Sequence, residues 1–265
     1  MKKVNYEDIN IQKIAVHPLY QMMKVYLYFV DGVLVDTGPS VQRRNIIRAF
    51  RSWDVRQVAI THCHEDHVGM LRWVANNFPA NIYSHTTAVP ALSKQVKIPW
   101  YQGLFSSHQF ESKVIPYPDS IRTSKFEFLP IETPGHSSDH VCLLEPNRGW
   151  LFSGDFYITP YPKVFLKGES IASYIDSLQK LSHYNFNTVL CAHEGVVPNG
   201  KEMMKRKLDY LQSTRHKVIQ LHQKGYTDKE IIKYMFPEKV KLELMSFGSF
   251  SRLNFIRSCY QETGT

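Results

Sequence analysis

Six consecutive residues constrain this chain more than any other stretch. His62, Cys63, His64, Glu65, Asp66 and His67 crowd three imidazoles and two carboxylates between Thr61 and Val68-Gly69. Removed from water without partners, so many polar groups would carry a large desolvation cost. Any fold that contains them must therefore supply acceptors, water or a cation. A divalent cation satisfies the whole run at once, because imidazole nitrogen and carboxylate oxygen are ordinary ligands at about 2.0–2.2 Å. In an extended segment His62 and His64 project to one side and can hold one ion together. Asp66 and His67 come after a turn and can reach another. Four donors in so short a segment exceed what one tetrahedral ion would take from it. The run points to an ion pair, spaced roughly 3.5–4 Å apart in enzymes that use such pairs.

Donors for a pair must also come from elsewhere, and strand ends supply them. Apolar runs at 26–30 and 33–35 flank Asp31-Gly32, a tight-hairpin signal, and lead into Asp36-Thr37-Gly38. The β-branched run 55–60 predicts a buried strand that enters the histidine cluster. Further strands are expected at 81–84, 125–133, 141–144, 150–153 and 188–192, and helices at 41–53, 69–78 and 170–182. Three strand ends deliver candidate ligands: Thr133-Pro134-Gly135-His136, Phe152-Ser153-Gly154-Asp155 and Leu190-Cys191-Ala192-His193. Beyond about residue 198 the pattern turns helical. Residues 201–224 read as one amphipathic helix, Thr227-Asp228-Lys229-Glu230 as a capping box opening another, and 249–261 as the last. No Gly/Ser linker precedes residue 201, so 199–265 is expected to be a helical extension packed on a catalytic unit formed by 1–198. The segment 94–112, with Trp100, Tyr101, Phe105 and Phe110, reads equally as a lid over a pocket and as a surface segment packing its own aromatics.

Composition narrows the class. With 43% hydrophobic and 21% charged residues over 265 positions, the chain can bury a core and is not of the disordered type. No run approaches the roughly 20 apolar residues of a membrane span. Residues 1–12 contain two lysines with no apolar core behind them, unlike a secretory signal. Cys63, Cys142, Cys191 and Cys259 form no close pair, which fits a reduced, cytoplasmic protein; a secreted chain with its leader removed is the other reading. The formal charge of +8 is concentrated in residues 201–265, which hold 13 Lys/Arg against 7 Asp/Glu. That excess reads as solvated helix faces or, alternatively, as a surface for nucleic acid.

The series His62-Cys63-His64-Glu65-Asp66-His67 followed by Gly69, then His136, Asp155 and His193, with Asp36 upstream in Val35-Asp36-Thr37-Gly38, resembles the metallo-β-lactamase fold superfamily over about residues 20–198. The resemblance implies an α/β fold, a four-layer αββα sandwich with metals at one edge, here with C-terminal helices added. It implies that His62, His64 and His136 hold a first zinc, that Asp66, His67 and His193 hold a second, and that Asp155 bridges them. Asp36 would then fix the ligand loop from behind, and His140 would be a structural histidine or a hydrogen-bond partner beside the site. Asp66 and His67 point to the two-metal hydrolase branch, glyoxalase II-like or lactonase-like, in contrast to true β-lactamases whose second site uses a cysteine. Cys63 and Cys191 match no ligand position.

The activity implied is that of a zinc hydrolase. Water shared by two ions would ionise near neutral pH and attack a carbonyl carbon or phosphorus, with Asp66 and Asp155 orienting it or passing a proton. The same donors accept iron or manganese. A thioester or lactone of a small molecule is the first expectation, since no long inserted domain of the nuclease type is present. Tyr157 is a candidate hydrogen-bond donor to the substrate carbonyl, or a packing aromatic. The alternative is a metal-dependent phosphodiesterase or endoribonuclease: the stretches around Arg215-His216-Lys217 and Ser249-Phe250-Ser251-Arg252 resemble the tail of a branch that includes a single-strand RNA endonuclease. A non-catalytic metal-binding protein is the third reading.

Overall fold

The computed structural model describes residues 2–15, 24–93 and 114–261, so the aromatic segment 94–112 lies outside the described residues. The chain opens with β1 (Lys2–Tyr6), β2 (Ile9–Ala15), β3 (Lys24–Val30) and β4 (Val33–Val35), each antiparallel to the one before. The expected hairpin joins β3 to β4, where Asp31 and Gly32 take φ of 44° and 90°, as a tight two-residue turn requires. Next come α1 (Arg43–Phe50), β5 (Gln57–Ala59), α2 (Glu65–Val68), α3 (Leu71–Asn77), β6 (Asn81–Ser84), α4 (Val89–Ser93) and β7 (Val114–Pro116). From β4 to β7 the strands are parallel, with α1 and α3 as crossovers, giving a seven-stranded sheet in sequence order.

The second half contributes β8 (Ile121–Arg122), β9 (Glu127–Glu132), β10 (Val141–Glu145), β11 (Trp150–Gly154), β12 (Phe165–Leu166), α5 (Ile171–Ser182), β13 (Thr188–Cys191) and β14 (Gly195–Val197). α6 (Gly200–Gln223), α7 (Asp228–Met235), α8 (Lys241–Met245), β15 (Phe250–Ser251) and α9 (Arg252–Ser258) complete the chain. The second sheet has order β14-β13-β11-β10-β9-β8, while β12 pairs with β15 apart from it.

Alternation along strands buried on both faces builds the layers. Val33 and Val35 enter a core between the sheets with Ala59, Leu143, Trp150, Phe152 and Leu190. Their neighbours Leu34, Val58 and Ile60 face the opposite way, against Ile46, Phe50 and Val74 of α1 and α3. Likewise Leu144, Leu151 and Val189 face α5 and α6, which supply Leu178, Leu181, Met204 and Leu211. Three cores separated by two sheets make the αββα sandwich. The capping box at α7 forms as read: the Thr227 side chain accepts from Glu230 N, and the Glu230 side chain from Thr227 N.

Two expected helices differ in outline. The one expected over 69–78 is α3, which starts only at Leu71; the short helix α2 precedes it in the ligand run, and the chain passes from one to the other at Gly69, which lies at a three-way backbone contact. A Cβ there would sit 2.6 Å from Ser40 N, 2.8 Å from Glu65 O and 2.9 Å from Gly38 O. Its φ of −58° is open to any residue, so the demand for glycine is steric. Gly69→Ala is expected to destabilise by about 1–3 kcal/mol or more, since backbone cannot yield as a side-chain tip does. At roughly 2–4 °C per kcal/mol for a chain of this size, a thermal melt should show a clear drop; an unchanged Tm would refute the contact. The helix expected over 249–261 starts as β15, with Ser251 capping α9 by accepting from Asn254 N at 3.1 Å.

Candidate metal centre

Strand direction brings the candidate ligands together. β9 and β11 are both antiparallel to β10, and β13 is parallel to β11, so all three end at one edge of the second sheet. His136, Asp155 and His193 follow those ends. The histidine cluster of the first sheet follows β5 to the same edge, where Val141 N donates to Thr61 O at 2.8 Å. The Tyr28 hydroxyl adds a second tie, donating to Cys191 O at 2.6 Å.

The donors meet in two groups: His62, His64 and His136, and beside them Asp66, His67, Asp155 and His193. In the first, His64 Nδ1 lies 3.0 Å from His62 Nε2 and 2.9 Å from His136 Nε2. In the second, the Asp155 carboxylate lies 3.2 Å from His67 Nε2 and 3.1 Å from His193 Nε2. Asp66 Oδ2 stands 3.4 Å from His193 Nε2 and 3.7 Å from His67 Nε2. Asp155 also reaches toward the first group, 3.6 Å from His136 Nε2.

The outward ring nitrogens test whether this arrangement fits a metal. His136 Nδ1 donates to Glu169 Oε1 at 2.5 Å, His67 Nδ1 to Asp36 Oδ2 at 2.7 Å, and His193 Nδ1 to Lys24 O at 2.7 Å. Thr61 Oγ1 donates to Asp36 Oδ2 at 2.9 Å, which leaves it to accept from His62 Nδ1 at 3.0 Å. With Nδ1 tied outward, each of these four rings can offer Nε2 to a cation, the tautomer that ligating histidines use. Buried His67 Nε2 and Asp155 Oδ1 lie 3.2 Å apart yet make no aligned hydrogen bond to each other or to another described residue, as expected of atoms arranged around a cation. The donor set fits a pair of divalent ions.

Asp36 is the hub of the supporting shell. It adopts φ of 59°, strained for a residue with a side chain, and its carboxylate takes Thr61 N at 2.8 Å besides Thr61 Oγ1 and His67. His140 is fully buried behind His62, with ring centroids 5.1 Å apart and Nδ1 2.9 Å from Thr133 Oγ1. Tyr157 is buried in the core under α6. The Cys191 thiol donates to Tyr157 O, and Cys63 N to Asp139 Oδ2 at 2.9 Å. Glu169 escaped the sequence reading. It lies 33 positions from His136, in the loop before α5, and nothing in its spacing announces the contact.

Metal-free, the site titrates in two directions. Burial alone would lower His193, but the Asp155 and Asp66 carboxylates outweigh it and lift the imidazole to about 9. His64 is pulled down to about 4, first by burial and then by neighbouring His136. The His193 contribution to stability is complete below its unfolded value of about 6.5 and is lost as pH rises through about 9. The His64 contribution is present above about 6.5 and is lost as pH falls toward about 4. Chelator-treated protein should therefore melt highest near pH 6.5. A Tm still climbing at pH 9 would contradict the assignment of these two groups.

A family model for the metallo-beta-lactamase superfamily matches residues 25–193, a span that contains every candidate ligand. A hydroxyacylglutathione hydrolase of Citrobacter koseri is 27% identical over 170 residues, 64% of this chain and 59% of that relative, so the match leaves much of the relative's length uncovered. A metallo-beta-lactamase family protein from Thermus thermophilus superposes with a TM-score of 0.68 at 16% identity, covering 96% of this chain and 91% of that one. A beta-lactamase domain protein from Burkholderia ambifaria gives 0.69 at 15% identity, covering 96% and 86%. No helix among the described residues is long and apolar enough to cross a membrane. With the family model spanning most of the chain and the sandwich carrying its donors at one edge, this protein belongs to the metallo-beta-lactamase superfamily.

Proposed function

We propose that the protein is a two-zinc hydrolase that cleaves an ester-type bond, thioester or lactone, in a small molecule. In this reading His62, His64 and His136 would hold one ion, Asp66, His67 and His193 would hold the other, and Asp155 would serve both. The observation that carries it is the pair of converging donor groups whose outward ring nitrogens are tied off by Thr61, Asp36, Glu169 and Lys24 O. When bound, a divalent ion pair supplies Lewis acidity and lowers the pKa of water toward neutrality.

The chain's own residues do the rest. The Asp155 side chain is 7% exposed and lies between His67 and His193, suited to a fixed, dry ligand. Asp66 is 25% exposed, so its carboxylate can receive a proton from the reacting centre and release it to solvent. Buried Asp36 and Glu169 keep His67 and His136 in one tautomer through the cycle. The four cysteines are unpaired, as a reducing compartment such as the cytoplasm would keep them.

Two observations favour acyl over phosphodiester chemistry. The Citrobacter koseri relative is named for hydrolysis of a hydroxyacylglutathione. The arginines of the two nuclease-like tail stretches are also engaged within the fold. Arg252 donates to Glu243 at 2.7 Å and to the carbonyls of Phe236 and Glu238, and Arg215 donates to Cys259 O. The deciding experiment is a hydrolysis panel on zinc-loaded protein with a glutathione thioester, an acyl-homoserine lactone, an activated phosphodiester and a short single-stranded RNA. Turnover of thioester or lactone alone is expected. Cleavage of RNA or phosphodiester alone would move the assignment to a nuclease.

A further inference from the structure

Lys207 is the one lysine among the described residues that is fully enclosed, 3% exposed and seated in the apolar core between α5 and α6. A leucine or methionine would fill that space without the cost of desolvating an ammonium. The amine has three donors, yet its one hydrogen bond among the described residues runs to Phe156 O, at 2.5 Å. It also faces two aromatic rings, 4.4 Å from the Tyr174 centroid and 5.6 Å from that of Phe156.

These partners lie directly beneath the metal centre. Phe156 follows Asp155, and its N–H closes the turn by donating to Ser153 O at 2.8 Å. Tyr174 packs against Phe156, with centroids 5.1 Å apart, and against Gly135, the residue before His136. A Cβ on Gly135 would come within 2.7 Å of the Tyr174 ring, so ring and turn have no slack between them. The loop that Tyr174 anchors contains Glu169, and Ser170 N donates to Gly135 O at 2.9 Å. One buried cation thus touches the carbonyl beside the shared carboxylate and the ring that wedges the His136 turn.

We propose that Lys207 is a positioning residue: from the C-terminal helix α6 it latches the turn that presents Asp155, so that α6 is part of what makes the second ion bind. This rests on the two-metal reading above. Two effects of its charge oppose each other. The ammonium repels bound cations, but from behind Phe156 and Tyr174, whereas its hydrogen bond acts on the residue adjoining a ligand. The positional effect dominates because a ligand displaced by a fraction of an ångström loses coordination geometry.

The test is a competition titration with a chromophoric chelator on full-length protein, reading both zinc affinities, with amide hydrogen exchange of residues 153–157 in parallel. Lys207→Met is expected to weaken the second ion about 10–100-fold and to speed exchange in the 153–157 turn, with the first ion less affected. Lys207→Arg, which keeps charge and donors, is expected to retain both ions. Leu211→Ala, one turn further along the same buried face of α6, should lower Tm while leaving both affinities unchanged. If Lys207→Met does not fold, Lys207→Leu, which likewise lacks a donor, replaces it with the same two readings. Unchanged or tighter binding of the second ion in the Met or Leu variant overturns the proposal, as does an equal loss in Leu211→Ala or Lys207→Arg. Wild-type protein that binds fewer than two ions would overturn the two-metal reading itself, and this inference with it.

Discussion

Asp155→Ala lowers kcat/KM by at least about a thousandfold and strips the protein of its more weakly held ion. The size follows from what the carboxylate does. Asp155 stands between His67 and His193 and reaches toward His136, so its carboxylate has access to both donor groups. Removing it deletes a ligand and leaves His67 and His193 facing each other without the charge that holds them. A metal centre is worth several kcal/mol of transition-state stabilisation, and about 4 kcal/mol corresponds to roughly a thousandfold. The check is turnover of the best substrate together with metal analysis after gel filtration, with Cys63→Ser as a control expected to keep wild-type metal content. Wild-type turnover by a metal-depleted Asp155→Ala protein would sink the mechanism.

Glu169→Ala should have the next largest effect, although the residue touches no substrate. Its Oε1 accepts from His136 Nδ1 at 2.5 Å and its Oε2 from Leu166 N at 3.1 Å, in a setting where Glu169 is 7% exposed. Alanine leaves the buried His136 Nδ1 and the part-buried Leu166 N without that acceptor and frees His136 to change tautomer. Loss of such a partner typically weakens metal binding 10–100-fold. The loss should fall on the ion held by His62, His64 and His136. Glu169→Gln keeps one carbonyl acceptor and should lie between alanine and wild type. Zinc affinities from chelator competition decide the matter; an Ala variant with wild-type affinity for both ions would show that His136 is oriented by something else.

Placing these two residues side by side shows where sequence reading reaches and where it stops. Asp155 was legible because it closes a strand-like run, Trp150 to Ser153-Gly154, as His136 and His193 close theirs. Asp36 was legible through the resemblance of Val35-Asp36-Thr37-Gly38 to the family's first motif. Glu169 was not, because a bond across 33 positions between a loop and a strand end leaves no periodic trace. Lys207 was hidden for the opposite reason. Its spacing on an amphipathic helix is that of an ordinary residue, and among 13 Lys/Arg in residues 201–265 it looked like one more solvated charge.

What the sequence determined by itself was local: a six-residue run too polar to bury without partners, alternation that buries strands on both faces, a hairpin at Asp31-Gly32 and a capping box at Thr227. These are consequences of covalent spacing and of each residue's own preferences, and they survive in any tertiary context. Tertiary structure alone decided which outward nitrogen meets which acceptor, how closely Gly69 packs on the backbone of Gly38 and Ser40 between α2 and α3, and that α6 buries an ammonium under the Asp155 turn. Each of these depends on non-local contacts, where a few tenths of an ångström decide between a hydrogen bond, a clash and an unpaired charge.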